Sequence, residues 1–237
     1  FMVEAETSSY MINSVLIKPI QEYIDRDNFD ISVLEPDIRN YYTVDGKLMN
    51  LGFGRTIVGF IYNADILAAA GYDDPAAQLK TWDDVLAAAA KIVDEGLAEY
   101  GAALSPAGWP FEFYASMAGK QLVDNNNGRS GNATRSIIDE NGLGVEWFTF
   151  LREWQNSPGI LTEYTTAQDY YGAMGAQPLA MFQTTSSNIS TVFAAADGNF
   201  DVGFFPMPAP SADSPGGLTV GGNSTWIIDS GDETRME

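Results

Sequence analysis

The stretch of residues 51–65 shows the clearest change of hydrophobic pattern in the chain. Its first four residues include two glycines, and the polar Arg55 and Thr56 follow. The next five residues are mainly apolar, which predicts a buried strand, and Asn63 then begins a helical pattern. A polar bend, a buried strand and a helix start in this order predict a crossover between two lobes, with Gly54, Arg55 and Thr56 facing the cleft.

The segment before this stretch predicts a short strand, a helix and a hairpin. Met11, Ile12, Val15 and Leu16 recur at helical spacing and predict a core-facing stripe on one helix. Residues 41–49 alternate around the turn signal Asp-Gly, which predicts a hairpin that leads directly into the crossover.

Helical and strand patterns alternate after residue 65. Thr81 with Asp84 predicts a capped helix start, and an apolar stripe follows. Residues 179–182 and 202–205 are short apolar runs that predict strands, and the proline-rich residues 206–210 suit a return crossover. This alternation predicts an α/β fold.

The composition narrows the classes of function. The formal net charge is -20, from 32 acidic and 12 basic residues, so nucleic acid and anionic membranes are unfavourable partners. The chain contains no cysteine and no histidine, which excludes disulfides and thiolate metal sites and removes the usual general base. We therefore expect no cofactor and no metal.

Membrane and targeting signals are also weak in this sequence. No stretch approaches the roughly 20 apolar residues that span a bilayer. The chain opens on strand-like residues with no signal-peptide pattern, so we expect the signal segment to be absent from this chain and its natural beginning to be missing.

Six short stretches follow one another along nearly the whole chain with the order and spacing of a known family. They are residues 17–20, residues 45–48 leading into 51–65, residues 70–71 followed by 80–84, residues 179–181 with the serine-rich loop behind them, residues 202–208 and residues 221–226. In these stretches the chain resembles the extracellular substrate-binding proteins of bacterial ABC importers, in the branch that binds sugars and glycerol phosphates. The similarity is greatest to the sn-glycerol-3-phosphate-binding group.

The resemblance implies a type II, two-lobe periplasmic-binding-protein-like α/β fold in which the ligand binds between lobes joined by crossing strands. It also implies a fragment that lacks both ends and keeps most of lobe 2 and part of lobe 1. We expect residues 1–57 to belong to lobe 1, residues 58–205 to form lobe 2, and residues 206–237 to hold the return crossover and a further part of lobe 1.

The function implied by the resemblance is that of a non-enzymatic solute receptor. Its partners would be a small hydroxylated ligand, a sugar or a glycerol phosphate, and the permease subunits of the importer. We expect a monomer with an extracytoplasmic location, either periplasmic or lipid-anchored on the cell surface.

The crossover bend supplies the first candidate ligand-binding residues. The family has an asparagine-serine-serine that touches ligand where this chain has Gly54, Arg55 and Thr56. An arginine can bind a phosphate or carboxylate through two parallel hydrogen bonds. The alternative for Arg55 is an ordinary ion pair with one of the many acidic residues.

A tryptophan in a glycine- and proline-rich loop and the phenylalanine that begins the next predicted helix supply the second group. Trp109 follows Gly108 and precedes Pro110, where a core residue would be unusual, and the family also places a tryptophan in this loop. Trp109 and Phe111 could each stack on the apolar face of a sugar ring or instead pack in the core.

Two polar or glycine-rich stretches complete the candidate site. Thr185, Ser186 and Ser187 follow an apolar strand, and Ser187 or Asn188 would cap the next helix. Their hydroxyls and the free N–H groups at the helix start either bind a phosphate or hydroxyl of the ligand or only cap that helix. The last stretch comprises Gly221, Gly222 and Asn223. It either brings bare backbone close to a ligand or allows a tight strand crossing.

A carbohydrate-active enzyme of similar architecture is the alternative function. Such an enzyme needs two carboxylates that face each other across a cleft. The adjacent acidic pairs at residues 83–84, 139–140 and 232–233 are typical of exposed turns, and no pattern marks one of them as catalytic.

Overall fold

The computed structural model describes residues 2–4, 7–105, 107–163, 166–217 and 219–232. The chain divides into two compact units. Unit 1 comprises Phe1–Thr56 and Val220–Glu237, and unit 2 comprises Ile57–Thr219. The assignment of residues 1–57, 58–205 and 206–237 to lobes stays a prediction.

The strands are short except for one. In chain order they are β1 (Met2–Glu4), β2 (Ile17–Lys18), β3 (Thr43–Val44), β4 (Lys47–Leu48), β5 (Leu51–Asn63), β6 (Tyr100–Ala103), β7 (Ile160–Leu161), β8 (Leu179–Thr185), β9 (Val202–Pro206), β10 (Val220–Thr225) and β11 (Ile227–Ile228).

The helices lie mainly in unit 2. In chain order they are α1 (Ser8–Ile12), α2 (Gln21–Asp27), α3 (Pro36–Tyr41), α4 (Ala64–Ala69), α5 (Pro75–Gln78), α6 (Trp82–Asp94), α7 (Trp109–Met117), α8 (Asp124–Asn127), α9 (Leu143–Asn156), α10 (Ala167–Gly175) and α11 (Ile189–Ala196). No helix of the described residues is long and apolar enough to cross a membrane.

Unit 2 is built on a mixed sheet in which β5 has a partner on each side. Residues 58–62 of β5 pair antiparallel with β8, and residues 59–63 pair antiparallel with β9. Beyond β8 the order continues through β6 to β7, and these strands run parallel to one another. Helices connect the parallel strands, which is the pattern of an α/β fold.

Both faces of this sheet are buried, each by its own core cluster. Adjacent side chains of a strand point to opposite faces, so neighbouring residues of β5 enter different clusters. Phe60 lies in one cluster, where its ring stacks on Phe205 at 5.2 Å and meets the edge of Trp82 at 5.9 Å. Ile61 lies in the second cluster with Phe182, whose ring stacks on Tyr170 at 4.5 Å. The sheet therefore has an aromatic-rich core on each side.

The predicted helix starts after β5 are confirmed. The Asn63 side chain accepts hydrogen bonds from the N–H groups of Asp65 and Ile66 and begins α4. Thr81 and Asp84 form a reciprocal capping box at the start of α6.

Unit 1 contains the predicted hairpin. Strands β3 and β4 pair around Asp45 and Gly46, and both turn residues have positive φ, as a two-residue hairpin turn requires. Tyr42 and Leu48 pack with Ile24 in a small core. Two further antiparallel pairs join β1 to β10 and β2 to β11.

Two expectations about local structure change. The core-facing stripe on the first helix is wrong: α1 ends at Ile12, and Val15 and Leu16 are 97% and 54% exposed. The chain turns at residues 13–16, so Val15 and Leu16 are not on a helix and their helical spacing creates no core-facing stripe.

The proline-rich residues 206–210 pack within unit 2, where the Met207 N–H donates to the Val58 carbonyl (3.1 Å). The chain changes unit between residues 219 and 220.

We predict that Gly101→Ala destabilises unit 2. Strand β6 contacts α6 at Gly101, where an added Cβ would lie 2.3 Å from the Ala89 Cα, so the helix and the strand would have to separate. The expected loss is about 2–4 kcal/mol of unfolding free energy, measured by urea denaturation. The matched control is Gly172→Ala in α10, which meets open space and should stabilise slightly. Equal midpoints for the two variants would contradict this packing.

We also predict that Asn63→Ala lowers the unfolding free energy by about 1–2 kcal/mol, because two helix N–H groups lose their acceptor. Asn63→Ser keeps an acceptor oxygen and should recover most of this loss in the same urea titration. An alanine variant as stable as the parent chain would show that the cap does not matter here.

Candidate functional site

A cavity of about 530 Å³ lies in unit 2, between the loop that follows β6 and helices α7 and α9. None of the described residues that line it carries a charge. Its wall includes Leu104, Ser105, Phe111, Trp147, Leu151 and Trp154. The cavity therefore suits the apolar face of an uncharged ring better than a bare anion.

Aromatic rings form one side of this cavity. Phe111 and Trp147 have ring centroids 5.6 Å apart, and Tyr114 meets Trp147 at 5.3 Å. Burial raises the pKa of the Tyr114 hydroxyl, and the nearby Glu146 and Glu153 raise it further. The phenol therefore stays protonated and neutral at neutral pH.

Gln183 connects the loop after β6 to the sheet, and it is not among the residues predicted from the sequence. Its side chain is fully buried in β8, and its Oε1 accepts a hydrogen bond from the Ser105 N–H (3.2 Å). Its Nε2 donates to the Met207 Sδ (3.8 Å). A long polar side chain directly after the apolar residues 179–182 is the one signal that could have identified it.

The structure places the two predicted aromatic site residues differently. The loop location of Trp109 is wrong: Trp109 is the first residue of α7, because Pro110 is well accommodated in the first turn of a helix. Trp109 packs edge-on against Phe113 at 5.8 Å, half-buried against the core. Phe111 lines the cavity. The ligand-binding roles of Trp109 and Phe111 stay predictions.

The serine-rich loop after β8 is held by its own hydroxyl groups. Ser186 Oγ accepts a hydrogen bond from the Ile57 N–H (3.2 Å), and the hydroxyls of Thr185 and Ser187 share a hydrogen bond of 2.6 Å. Residues 186–188 form a 3-10 turn that leads into α11. This loop therefore presents hydroxyl groups in fixed positions, and its ligand contacts stay a prediction.

The predicted cap of α11 is wrong in its mechanism. Asn188 occupies the N-cap position, but neither it nor Ser187 makes a side-chain cap hydrogen bond. The Asn188 Nδ2 instead donates to the hydroxyls of Thr184 and Thr185, at 3.0 and 3.2 Å. The Asn188 side chain therefore binds the residues that precede it rather than the first turn of α11.

Two buried side chains, one from α10 and one from β8, support the serine-rich loop. The hydroxyls of Tyr171 and Thr184 lie 3.2 Å apart. Burial raises the pKa of the Tyr171 phenol, and the hydrogen bond to Thr184 partly offsets that rise. Tyr171 therefore remains neutral at neutral pH and stays hydrogen-bonded to Thr184.

The two segments of unit 2 that carry candidate residues, after β6 and after β8, begin at the same edge of the sheet. Strands β6 and β8 run parallel, with Ala103 opposite Phe182, so the loops after their carboxyl ends emerge side by side. Ligands of open α/β sheets bind beyond the carboxyl ends of the strands. The unit 2 group comprises Trp109, Phe111, Thr185, Ser186 and Ser187.

The remaining candidates come together in unit 1, where β10 lies beside the first half of β5. A Cβ on Gly222, whose φ is 127°, would lie 2.0 Å from the Gly54 carbonyl oxygen, and one on Gly221 would lie 3.2 Å from Thr56 Oγ1. The close approach that these glycines allow is therefore between two strands. The unit 1 group comprises Gly54, Arg55, Thr56, Gly221, Gly222 and Asn223.

Arg55 is held by an aromatic residue of unit 1. Its Nη1 donates to the Tyr42 hydroxyl (3.4 Å), and its guanidinium carbon lies 5.2 Å from the centre of the Tyr42 ring. Among the described residues no carboxylate forms an ion pair with Arg55. The alternative of an ordinary surface ion pair is therefore wrong for the described part of the chain.

No cluster of three or more acidic residues in the described part of the chain could hold a metal ion. Two members of the adjacent acidic pairs have structural roles, and Glu233 of the third pair lies outside the described residues. Asp84 caps α6, and Glu140 forms an ion pair with Arg135 at the surface. The described lining of the cavity includes no carboxylate.

Similar proteins of known sequence are glycerol-phosphate-binding proteins. The sn-glycerol-3-phosphate-binding periplasmic protein UgpB of Yersinia enterocolitica is 30% identical over 234 residues, which cover 94% of this chain and 51% of that protein. UgpB of Escherichia coli K12 is 27% identical over 233 residues. The chain spans about half the length of the curated relatives that it matches.

Solved structures confirm the fold. UgpB from Mycobacterium tuberculosis, in complex with glycerophosphocholine, aligns with a TM-score of 0.74 at 15% identity and covers 99% of this chain and 56% of that one. The GacH receptor of Streptomyces glaucescens, solved unliganded and with acarbose, aligns at 0.75 with 20% identity and covers 97% and 56%. The predicted two-lobe periplasmic-binding-protein-like class is therefore confirmed.

The family model for bacterial extracellular solute-binding proteins matches residues 1–234. The match extends through both units and includes every candidate site residue. The chain belongs to the bacterial extracellular solute-binding protein family.

Proposed function

We propose that this protein is a non-enzymatic solute receptor of an ABC importer. It binds a small hydroxylated ligand, a glycerol phosphate or a sugar, and delivers it to the permease subunits in the membrane. The observation that carries this proposal is the family match over residues 1–234. The named relatives bind sn-glycerol-3-phosphate, and the solved neighbours hold glycerophosphocholine or acarbose.

The unit 2 group supports a ligand with one apolar face and several hydroxyls. Phe111 presents an aromatic ring to the cavity, and rings of this kind stack on the apolar face of a sugar. Thr185, Ser186 and Ser187 supply hydroxyls at the same edge of the sheet, and these can donate to or accept from ligand oxygens.

Nothing in the described residues favours the carbohydrate-active enzyme. A glycosidase needs two carboxylates about 5 to 10 Å apart across the sugar. The described cavity lining has none, and Asp84 and Glu140 already serve a helix cap and an ion pair. We propose that the protein binds its ligand without changing it.

The compartment follows from the relatives, which are named as periplasmic. We propose an extracytoplasmic location for this protein and a monomeric state, in which one chain supplies the complete ligand site. The net charge of -20 suits a soluble carrier that does not adhere to anionic lipid headgroups.

A ligand screen tests this function. The chain is titrated calorimetrically with sn-glycerol 3-phosphate, glycerophosphocholine, maltose and acarbose, with glycerol as the negative control. A panel of chromogenic glycosides is incubated with the same preparation. We expect saturable binding of at least one of the four ligands and no turnover. Release of chromophore above the buffer rate, or no saturable heat with any ligand, would contradict the proposal.

We predict that Phe111→Ala weakens binding of the ligand found in that screen about tenfold, because an aromatic contact of this type contributes about 1–1.5 kcal/mol. The matched control is Phe193→Ala, which removes an exposed phenylalanine on α11 that does not line the cavity. Its dissociation constant should change less than twofold in the same calorimetric titration. Equal effects of the two substitutions would exclude a specific role for Phe111.

A further inference from the structure

The Arg55 guanidinium occupies space that a side chain at position 52 would fill. A Cβ on Gly52 would lie 1.8 Å from the Arg55 Nη2 and 2.6 Å from its Cζ. The guanidinium therefore lies directly on the bare backbone of Gly52, and no other residue type at position 52 leaves room for this arrangement.

Gly54 explains why the two residues share one side of the strand. Residues three apart in a regular strand point to opposite faces, so Arg55 would normally point away from Gly52. Gly54 has φ +65° and meets open space where its Cβ would be. A left-handed glycine of this kind reverses the alternation locally, as in a β-bulge.

Tyr42 fixes the guanidinium from its other side. The tyrosine is only 1% exposed and packs with Ile24 and Leu48, so its ring cannot move away from Arg55 without disturbing the unit 1 core. The cation lies 5.2 Å from the ring centre, and its Nη1 donates to the phenol oxygen. Arg55 therefore has a preset position before any ligand arrives.

The charge of Arg55 is not balanced by the described part of the chain, although the protein has 32 acidic residues. Arg26 pairs with Asp27, and Arg135 pairs with Glu140, whereas Arg55 pairs with no described carboxylate. Its Nη2 is buried and has no hydrogen-bond partner among the described residues. A buried donor without an acceptor is unfavourable, and a planar guanidinium matches an oxyanion with two parallel hydrogen bonds.

We propose that Gly52, Gly54 and Tyr42 hold Arg55 as a preformed receptor for an oxyanion of the ligand, a phosphate or a carboxylate. The inference rests on the proposed solute-receptor function and narrows it, because it assigns an anionic ligand rather than a neutral sugar. Gly52 then becomes a specificity-determining position, since any side chain there displaces the guanidinium.

Calorimetry with four ligands of known chemistry tests this inference at fixed ionic strength. The ligands are sn-glycerol 3-phosphate, D-glycerate, glycerol and maltose. Glycerol 3-phosphate carries the phosphate, glycerate carries the carboxylate, and glycerol carries neither group. We expect one of the two anions to bind at least tenfold more tightly than glycerol, and the stronger anion identifies the group that Arg55 receives.

Three variants separate the arginine from its support. Arg55→Gln and Gly52→Ala should each weaken anion binding at least tenfold. Gly217→Ala adds the same methyl group where nothing lies within 4 Å, and it should change the affinity less than twofold. Adding Gly52→Ala to Arg55→Gln should cause little further loss, because the guanidinium that it displaces is already gone.

Circular dichroism and thermal unfolding of each variant show whether the fold is kept. If Gly52→Ala unfolds the chain, Arg55→Gln alone decides the question. Saturable maltose binding with no anion binding, or anion affinity unchanged in Arg55→Gln, overturns this inference and leaves the receptor function standing. Failure of all four ligands and of the wider ligand screen would overturn the receptor function itself.

Discussion

The pairing of β5 on both sides is the constraint on which the rest of unit 2 depends. Residues 59–62 lie opposite β8 on one side and opposite β9 on the other, so their backbone belongs to the middle of the sheet. Phe60 and Ile61 are fully buried and supply one side chain to each of the two cores. A shift of register by one residue would exchange these faces and disrupt both cores.

This strand also explains the position of the candidate ligand groups. Its pairing with β8 sets the end of that strand, where the serine-rich loop begins, and the Ile57 N–H holds Ser186 in place. The parallel β6 then places the loop that leads into α7 and Phe111 beside it, and Gln183 joins that loop to the sheet through Ser105. The site in unit 2 is therefore built on rigid strands, and its loops carry the polar and aromatic groups.

Much of this arrangement could be predicted from local patterns. The buried strand before Asn63, its cap, the Thr81 capping box and the Asp45-Gly46 hairpin each depend on neighbouring residues, and all are confirmed. The helical spacing of Val15 and Leu16 predicted burial wrongly, because the helix ends before these residues and both are exposed. The contacts of Arg55 with Tyr42 and Gly52, and that of Gln183 with Ser105, could not be predicted.

Those contacts could not be predicted from the sequence for a physical reason. Tyr42 and Arg55 meet because a hairpin folds back and a left-handed glycine changes the direction of a side chain, and Gln183 meets Ser105 because two parallel strands end together. Each depends on tertiary placement rather than on residue type. The sequence indicated which residue types were available for ligand binding, and the fold determined which of them lie together.

Amide hydrogen exchange followed by mass spectrometry tests the central place of β5 most directly. We predict that residues 59–62 exchange in the slowest class of the chain, because opening them requires separation from the two neighbouring strands. Peptides from the β3–β4 hairpin, which pairs only with itself, should exchange much faster. Exchange of residues 59–62 as fast as that hairpin would show that β5 is not the central strand of the fold.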